Sequence, residues 1–252
     1  MNQILLIQYN PDDVAKMLSM LQSYSKGETE VIHAPSLEDG LSHIRRTDFD
    51  LIMVDLDLPG IDGVNTIDTI LEIENKCPLI TLSGEYDEEL AFQLIDKSIQ
   101  DFLVKGEFNK KQLHRSVRFA IQRKKWEESL RITGERLKAI FDSAPLGFFL
   151  VDMKGTFIDG NKATEKILGY YKNELMGKSY LDMGLLPSDG REKAIQLLVR
   201  NSIGMSTGPD IIVFKRKTGE KVNVEMFTNS IQINSEVYAF GIVRELCGKS
   251  VN

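Results

Sequence analysis

In DLIMVDLDLPGIDG (residues 50–63) an unbroken apolar run ends on a carboxylate, Asp55, and passes at once into a turn containing Pro59, Gly60 and Gly63. A short apolar run without alternation is what a strand buried on both faces requires, and the proline and glycines suit a tight loop whose backbone passes close to its neighbours. Runs of the same kind recur on either side: ILLI (4–7), TEVIHA (29–34), PLITL (78–82) and DFLV (101–104). Between them PDDVAKMLSMLQSY (11–24), SLEDGLSHIRR (36–46), GVNTIDTILEIE (63–74), DEELAFQLIDKS (87–98) and NKKQLHRSVRFAIQRKKW (109–126) carry helical patterning, the first with Asn10 as N-cap and Pro11 in its first turn. Alternating strands and helices predict an α/β unit: a five-stranded, doubly wound parallel sheet covered on both faces and joined by right-handed crossovers.

In such a sheet reactive groups gather at the carboxyl ends of the strands, beside the point where strand order reverses. The residues just past those ends are Gln8 and Tyr9, Asp55, Ser83 with Gly84, and Lys105. Three of them make a phosphoryl-transfer set. A carboxylate attacks phosphorus, a hydroxyl on the next strand bonds a phosphoryl oxygen, and an ammonium neutralises the charge that builds up. Singly, Asp55 reads as a loop-capping carboxylate, Ser83 as a turn former and Lys105 as a surface charge. Their conjunction at successive strand ends carries the reading.

VDLDLPGIDG (54–63), LITLSG (79–84) and DFLVKGE (101–107), in this order, resemble the receiver domain of response regulators. The resemblance covers about the first 120 residues and implies a flavodoxin-like fold. It also implies that Asp55 is the phosphoacceptor, Ser83 the switch hydroxyl, Lys105 the charge sensor and Phe102 the ring whose rotamer reports phosphorylation. The implied partner is a sensor histidine kinase, whose phosphohistidine supplies the phosphate. Phosphorylation then shifts populations around the fourth and fifth strands rather than building a new fold. Receivers usually carry two acidic residues after the first strand, where this chain has Gln8 and Tyr9. The oxygens left for magnesium are those of Asp55, the backbone near Asp57 and the Gln8 amide, so weak binding or none is expected. Asp12 and Asp13 fall in the first turn of the following helix, where the helix dipole is a sufficient explanation. The sequence spacing of His33, His43 and His114 suggests no catalytic or metal-binding grouping, and no chemistry is assigned to them.

Composition agrees with two globular domains: 252 residues, 42% hydrophobic and 27% charged. The opening MNQILLIQYN lacks a basic stretch followed by a long apolar core, and no run approaches the roughly 18 apolar residues of a membrane span. A cytoplasmic protein without membrane association is the expectation. Cys77 and Cys247 stand far apart without metal-ligand neighbours, which supports neither a disulfide framework nor a zinc site. Residues 1–121 hold 11 basic and 21 acidic side chains, a charge of −10, while residues 122–140 carry +3 and the remainder +1. The acidic half argues against phosphate-backbone binding, and RKKWEESLR (123–131) reads as a solvated helix face. Direct nucleic-acid binding therefore has no support.

Residues 122–140 read as a helical linker. Apolar residues at Phe119, Trp126, Leu130, Leu137 and Ile140 are spaced by seven, four, seven and three, which is compatible with heptads. Arg123 and Thr133 interrupt that seam and Gly134 weakens the helix, leaving two readings: a short coiled coil pairing two copies, or a helix packed on its own domains. Over 141–248 the pattern changes. Strand-like PLGFFLVD and KGTFIDG precede helical NKATEKILGY and REKAIQLLVRNS, then come DIIVFKRK, EKVNVEMFTNSIQI and EVYAFGIVREL, joined by TGE and NSE turns. This order predicts a curved antiparallel sheet wrapped by helices, an α+β domain.

IFDSAPLGFFLVDMKGTFIDGNKATEKILGY (140–170) and the closing GIVREL (241–246) resemble a PAS domain. The resemblance implies sensing or protein pairing, with no reaction. Flavin-linking PAS domains place a reactive Cys in an Asn-Cys-Arg type motif, where this chain reads DGNKATE (159–165), and no His follows His114 to ligate haem. Neither covalent flavin nor His-ligated haem is expected, which leaves a small apolar ligand or a packed core. Phe148, Phe149, Phe157, Phe214 and Phe227 read as core.

The expected function is a phosphorylation switch that is not an enzyme and acts on an unidentified downstream protein, plausibly toward transcription. No kinase motif or helix-turn-helix is recognisable, so output is expected through surfaces. A scaffold that never carries phosphate is the alternative, supported by the missing acidic pair. A remoter one is a phosphatase of the haloacid-dehalogenase type, because Asp-Leu-Asp (55–57) resembles its nucleophile motif, although there the motif follows the first strand.

Overall fold

The computed structural model describes residues 2–21, 29–97 and 99–246, so residues 22–24 and 98 of the predicted helices, and Cys247, lie outside the described residues. The chain divides into two compact units, Met1–Ile132 and Thr133–Asn252.

The first unit holds five parallel strands, β1 (Asn2–Ile7), β2 (Thr29–Ala34), β3 (Leu51–Asp55), β4 (Leu79–Ser83) and β5 (Asp101–Val104), in the order β2-β1-β3-β4-β5. Strand order reverses between β1 and β3, which sets the crevice beside Asp55. The intervening helices are α1 (Pro11–Leu21), α2 (Leu37–Ile44), α3 (Gly63–Ile73) and α4 (Glu88–Asp96), and α5 (Lys110–Ser143) follows β5. All five β3 residues are buried, which is why its apolar run shows no alternation. Leu5, Ile7, Ile52 and Val54 pack with Leu37 and Ile44 of α2 and Ile67 and Ile70 of α3. Leu6, Met53, Ile80 and Leu82 pack on the other face with Met17 and Leu21 of α1 and Leu113 and Val117 of α5.

Two details differ from the sequence reading. Asp55 and Ser83 are the last residues of their strands rather than the first beyond them. The helix α5 is continuous through Gly134, where an added Cβ would meet nothing within 4 Å. Glycine costs a helix only about 1 kcal/mol, too little to break one of 34 residues.

The second unit holds an antiparallel sheet in the order β7-β6-β10-β9-β8, from β6 (Gly147–Asp152), β7 (Phe157–Gly160), β8 (Thr207–Lys215), β9 (Lys221–Ile233) and β10 (Glu236–Glu245). Helices α6 (Lys162–Leu168), α7 (Lys172–Leu175) and α8 (Ser188–Ser202) lie between β7 and β8. The short α7 has no counterpart in the sequence reading. Asn234 and Ser235 both take positive φ, 48° and 70°, which is what a two-residue hairpin between β9 and β10 demands.

Phe149, Phe157 and Phe214 are core, but Phe227 is 37% exposed and Phe148 sits on the other face, stacked near Phe141 and Phe240. The period of two decides this: Val222, Val224 and Met226 point inward, so Phe227 cannot. Gly241 lies opposite Phe149, and a Cβ there would come within 2.0 Å of the ring, so the glycine lets the ring lie across β10. Space inside this core amounts to about 30 Å³, lined by Phe149, Leu197, Phe214 and Met226 among others. That is room for a water or two, so the interior is packed.

Candidate phosphoacceptor site

β3 delivers Asp55 to the carboxyl edge of the parallel sheet. In the β1–β3 register Ile7 lies opposite Val54, which puts Gln8 beside Asp55. Alternation turns Asp55 to the Met53 face and Gln8 to the Leu6 face, which is the same face, covered by α1 and α5.

Asp55 is 2% exposed and is held from two directions. Lys105, just past β5, brings its Nζ to 3.1 and 3.0 Å from the two carboxylate oxygens. The backbone N–H of Asp57 donates to Oδ1 at 3.1 Å. Burial pushes the Asp55 carboxyl above its ordinary value, and the Asp57 N–H and the Lys105 ammonium only partly oppose it. At Lys105 burial acts to lower the value, but the hydrogen bonds and charges of Asp57 and Asp55 outweigh it and hold the ammonium protonated.

Two further carboxylates reach the same ammonium: Asp57 Oδ2 at 2.9 Å and Asp13 Oδ2 at 3.4 Å. Asp13 comes from the first turn of α1, so a residue that helix-dipole reasoning accounts for also faces the site. Sequence pattern carries no signal for this approach, which depends on how the first turn of α1 seats against Lys105 beyond β5. Asp57 additionally accepts the Gly84 N–H at 2.7 Å.

Ser83 is buried at the end of β4, but its hydroxyl donates to the Glu85 carbonyl at 2.8 Å and accepts the Glu85 N–H at 3.3 Å. It is turned along its own loop. Phe102 on β5 is half-buried and meets the exposed Tyr86 edge-on, with centroids 6.3 Å apart. The fold thus brings Asp55, Asp57 and Lys105 into direct contact, sets Ser83 on the adjacent strand end, and leaves Phe102 outside the polar cluster.

Gln8 is fully buried. Its Oε1 accepts the Asn10 N–H at 3.3 Å, and its Nε2 has no hydrogen-bond partner among the described residues. Tyr9 is 61% exposed. The residues present do not fit a magnesium ion in this arrangement. The Gln8 oxygen is engaged, the Lys105 ammonium lies among the carboxylates, and among the described residues no three acidic, His or Cys side chains are grouped to hold a metal.

The family model of the response regulator receiver domain matches residues 4–118, and that of the PAS domain matches residues 145–246. The chain joins a receiver domain to a PAS domain. This receiver–PAS chain is 23% identical over 231 residues to the sensor histidine kinase TmoS of Ectopseudomonas mendocina, covering 79% of this chain and 23% of that protein. It is 29% identical over 161 residues to the transcriptional regulatory protein AfsQ1 of Streptomyces coelicolor, covering 64% of each. The chain therefore spans less than two thirds of the length of either relative. Among solved structures, the PAS domain of an HTR-like protein from Haloarcula marismortui aligns at 24% identity with a TM-score of 0.44, over 49% of this chain and 99% of that one. Among the described residues no helix is long and apolar enough to cross a membrane.

Proposed function

We propose that the receiver–PAS chain is a response regulator that accepts a phosphoryl group on Asp55 from the phosphohistidine of a partner sensor histidine kinase. The observation that supports this best is the buried Asp55 carboxylate, its basicity raised by burial, in contact with the Lys105 ammonium. In the transfer an Asp55 oxygen attacks phosphorus. The bond between phosphorus and the imidazole nitrogen breaks, its electron pair stays on the imidazole, which takes up a proton from water, and an acyl phosphate forms. Lys105 offsets the charge on the phosphoryl oxygens. Ser83 exchanges its bond to Glu85 for one to a phosphoryl oxygen, which draws the loop after β4 inward and shifts the Phe102–Tyr86 contact. Asp55, Ser83, Lys105 and Phe102 are the residues to which these roles fall.

The receiver is modified once per signal and turns over no substrate of its own. The kinase would meet it in the cytoplasm, and output would pass to a downstream protein, in keeping with a relative that is a transcriptional regulatory protein. The limits proposed are 1–121 for the receiver, 122–140 for the linker and 141–248 for the PAS domain. Trp126, Leu130, Leu137 and Ile140 are all more than 60% exposed along α5, which favours pairing of two copies through that seam.

A second reading, a scaffold that never carries phosphate, draws support from Gln8 and Tyr9 and from a donor set that does not suit magnesium. Intact-protein mass after incubation with acetyl phosphate separates the two. One labile phosphate on the wild type, absent from Asp55→Asn, is the expected result. No adduct, even with a cognate kinase as donor, would leave the scaffold.

A further inference from the structure

Asp57 makes two contacts through one oxygen. Its Oδ2 lies 2.7 Å from the Gly84 nitrogen and 2.9 Å from Lys105 Nζ. Both are anion donors, one a backbone N–H and the other an ammonium that also touches Asp55 at 3.0 Å. Residue 84 has no side chain to fill the space, and a Cβ there would stand 2.9 Å from that oxygen. The Asp57 side chain is half exposed, so burial does not force the contact. The carboxylate is drawn in by the two donors.

With a phosphoryl group on Asp55, the Gly84 N–H and the Lys105 ammonium are the donors that would cradle it, and we propose that the resting chain keeps this cradle filled. In the resting state the Asp57 carboxylate fills it as an internal stand-in that an arriving phosphoryl group must displace. The proposal rests on the reading that Asp55 carries phosphate. One carboxylate oxygen satisfies the two donors that a phosphoryl oxygen on the neighbouring aspartate would use, and two anions cannot share them. Displacement is easy, because Asp57 already lies half in water and moves outward into solvent. The cradle also keeps the Gly84 loop and Lys105 together before any phosphate arrives. Asp57 thereby acts as a positioning residue that sets how readily the site accepts its ligand.

Asp13 supplies the control. It places the same charge near the same ammonium, at 3.4 Å, and has no bond to Gly84. If Asp57 acts only as a nearby negative charge, removing either charge has the same effect. If it occupies the cradle, the two removals differ.

The test uses beryllofluoride, which coordinates an aspartate oxygen as a tetrahedral anion. It is titrated into the full chain as wild type, Asp57→Asn, Asp57→Ala and Asp13→Asn, and binding is followed at the Gly84 amide by NMR. Salt at 0.5 M shortens the reach of remote charge to about 4 Å. Both Asp57 variants are expected to bind at least about 10-fold more tightly than wild type, and Asp13→Asn within about 3-fold of it. Equal gains for Asp13→Asn, no gain for the Asp57 variants, or no binding in any chain would each overturn the cradle. Mass gain from acetyl phosphate reads the parent assignment separately. Phosphate on wild-type Asp55 with unchanged beryllofluoride affinities sinks the stand-in alone, and no phosphate on any chain, from acetyl phosphate or from a cognate kinase, sinks the phosphoacceptor reading itself.

Discussion

Asn161 of the PAS unit and Asp55 of the receiver unit are both polar side chains with almost no exposed surface, 0% and 2%. Their surroundings differ. The Asn161 oxygen accepts from the Phe148 N–H, the Thr164 N–H and the Thr164 hydroxyl, and its amide donates to the carbonyls of Phe141 and Leu146. Every donor and lone pair is used, and the residue ties the end of α5 to β6 and caps α6. Asp55 keeps a charge that burial disfavours, and beside it the Gln8 amide nitrogen is buried with no partner among the described residues. A buried polar group whose capacity is exhausted holds a fold together. A buried charge next to an unpaired donor stores unfavourable energy, and such sites are where ligands and chemistry are found.

Asn161 carries the largest expected effect. Replacing it with alanine strands two carbonyls and two N–H groups in the interior, and Asn161→Ala should lower the stability of the PAS unit by about 3 kcal/mol. Urea unfolding followed in that unit measures it, and a loss below about 1 kcal/mol would mean that water restores the bonds.

Asp55→Asn should act in the opposite direction. A carboxyl titrating above its unfolded value binds its proton more tightly when folded. Its favourable contribution is therefore present below the ordinary value of 3.8 and is lost as pH rises through the folded value. At pH 7 the ionised Asp55 is a cost, and the neutral amide should stabilise the receiver by about 1 kcal/mol, with the advantage fading below pH ~3.8. Urea midpoints of the two proteins at both pH values test the sign, and a wild type more stable at pH 7 would show that Lys105 more than compensates for burial.

The smallest effect concerns metal. With Gln8 in place of an acidic residue and Lys105 among the carboxylates, exchanging magnesium for a chelator should change the rate of phosphate gain from acetyl phosphate by less than about 3-fold. A loss of 10-fold or more would mean that the carboxylates regroup around the ion.

Much of the receiver was legible in its chemistry-bearing strands. The runs 29–34 and 101–104 coincide with β2 and β5, and Asp55, Ser83 and Lys105 stand at strand ends because apolar runs have visible limits. Phe227 was legible too, had the alternation of Val222, Val224 and Met226 been weighed above its ring. Three things were not legible: the turn of the Ser83 hydroxyl to Glu85, the approach of Asp13 to Lys105, and the bond from Asp57 to Gly84. Each depends on a side-chain torsion or a helix position set by contacts between segments far apart in the chain, and local pattern carries no record of those.

Local pattern along the chain settles which segments are strands and, α7 apart, which are helices, which residues end the buried strands, and that the chain holds a parallel and an antiparallel sheet. These follow from periodicity and from the cost of burying unpaired backbone, both local properties. Tertiary structure alone decided that three carboxylates converge on one ammonium, that Asp57 holds the Gly84 N–H, and that the PAS core is closed to all but water-sized space. Those outcomes are settled by distances of a few ångströms between elements, over which electrostatic and packing energies change steeply.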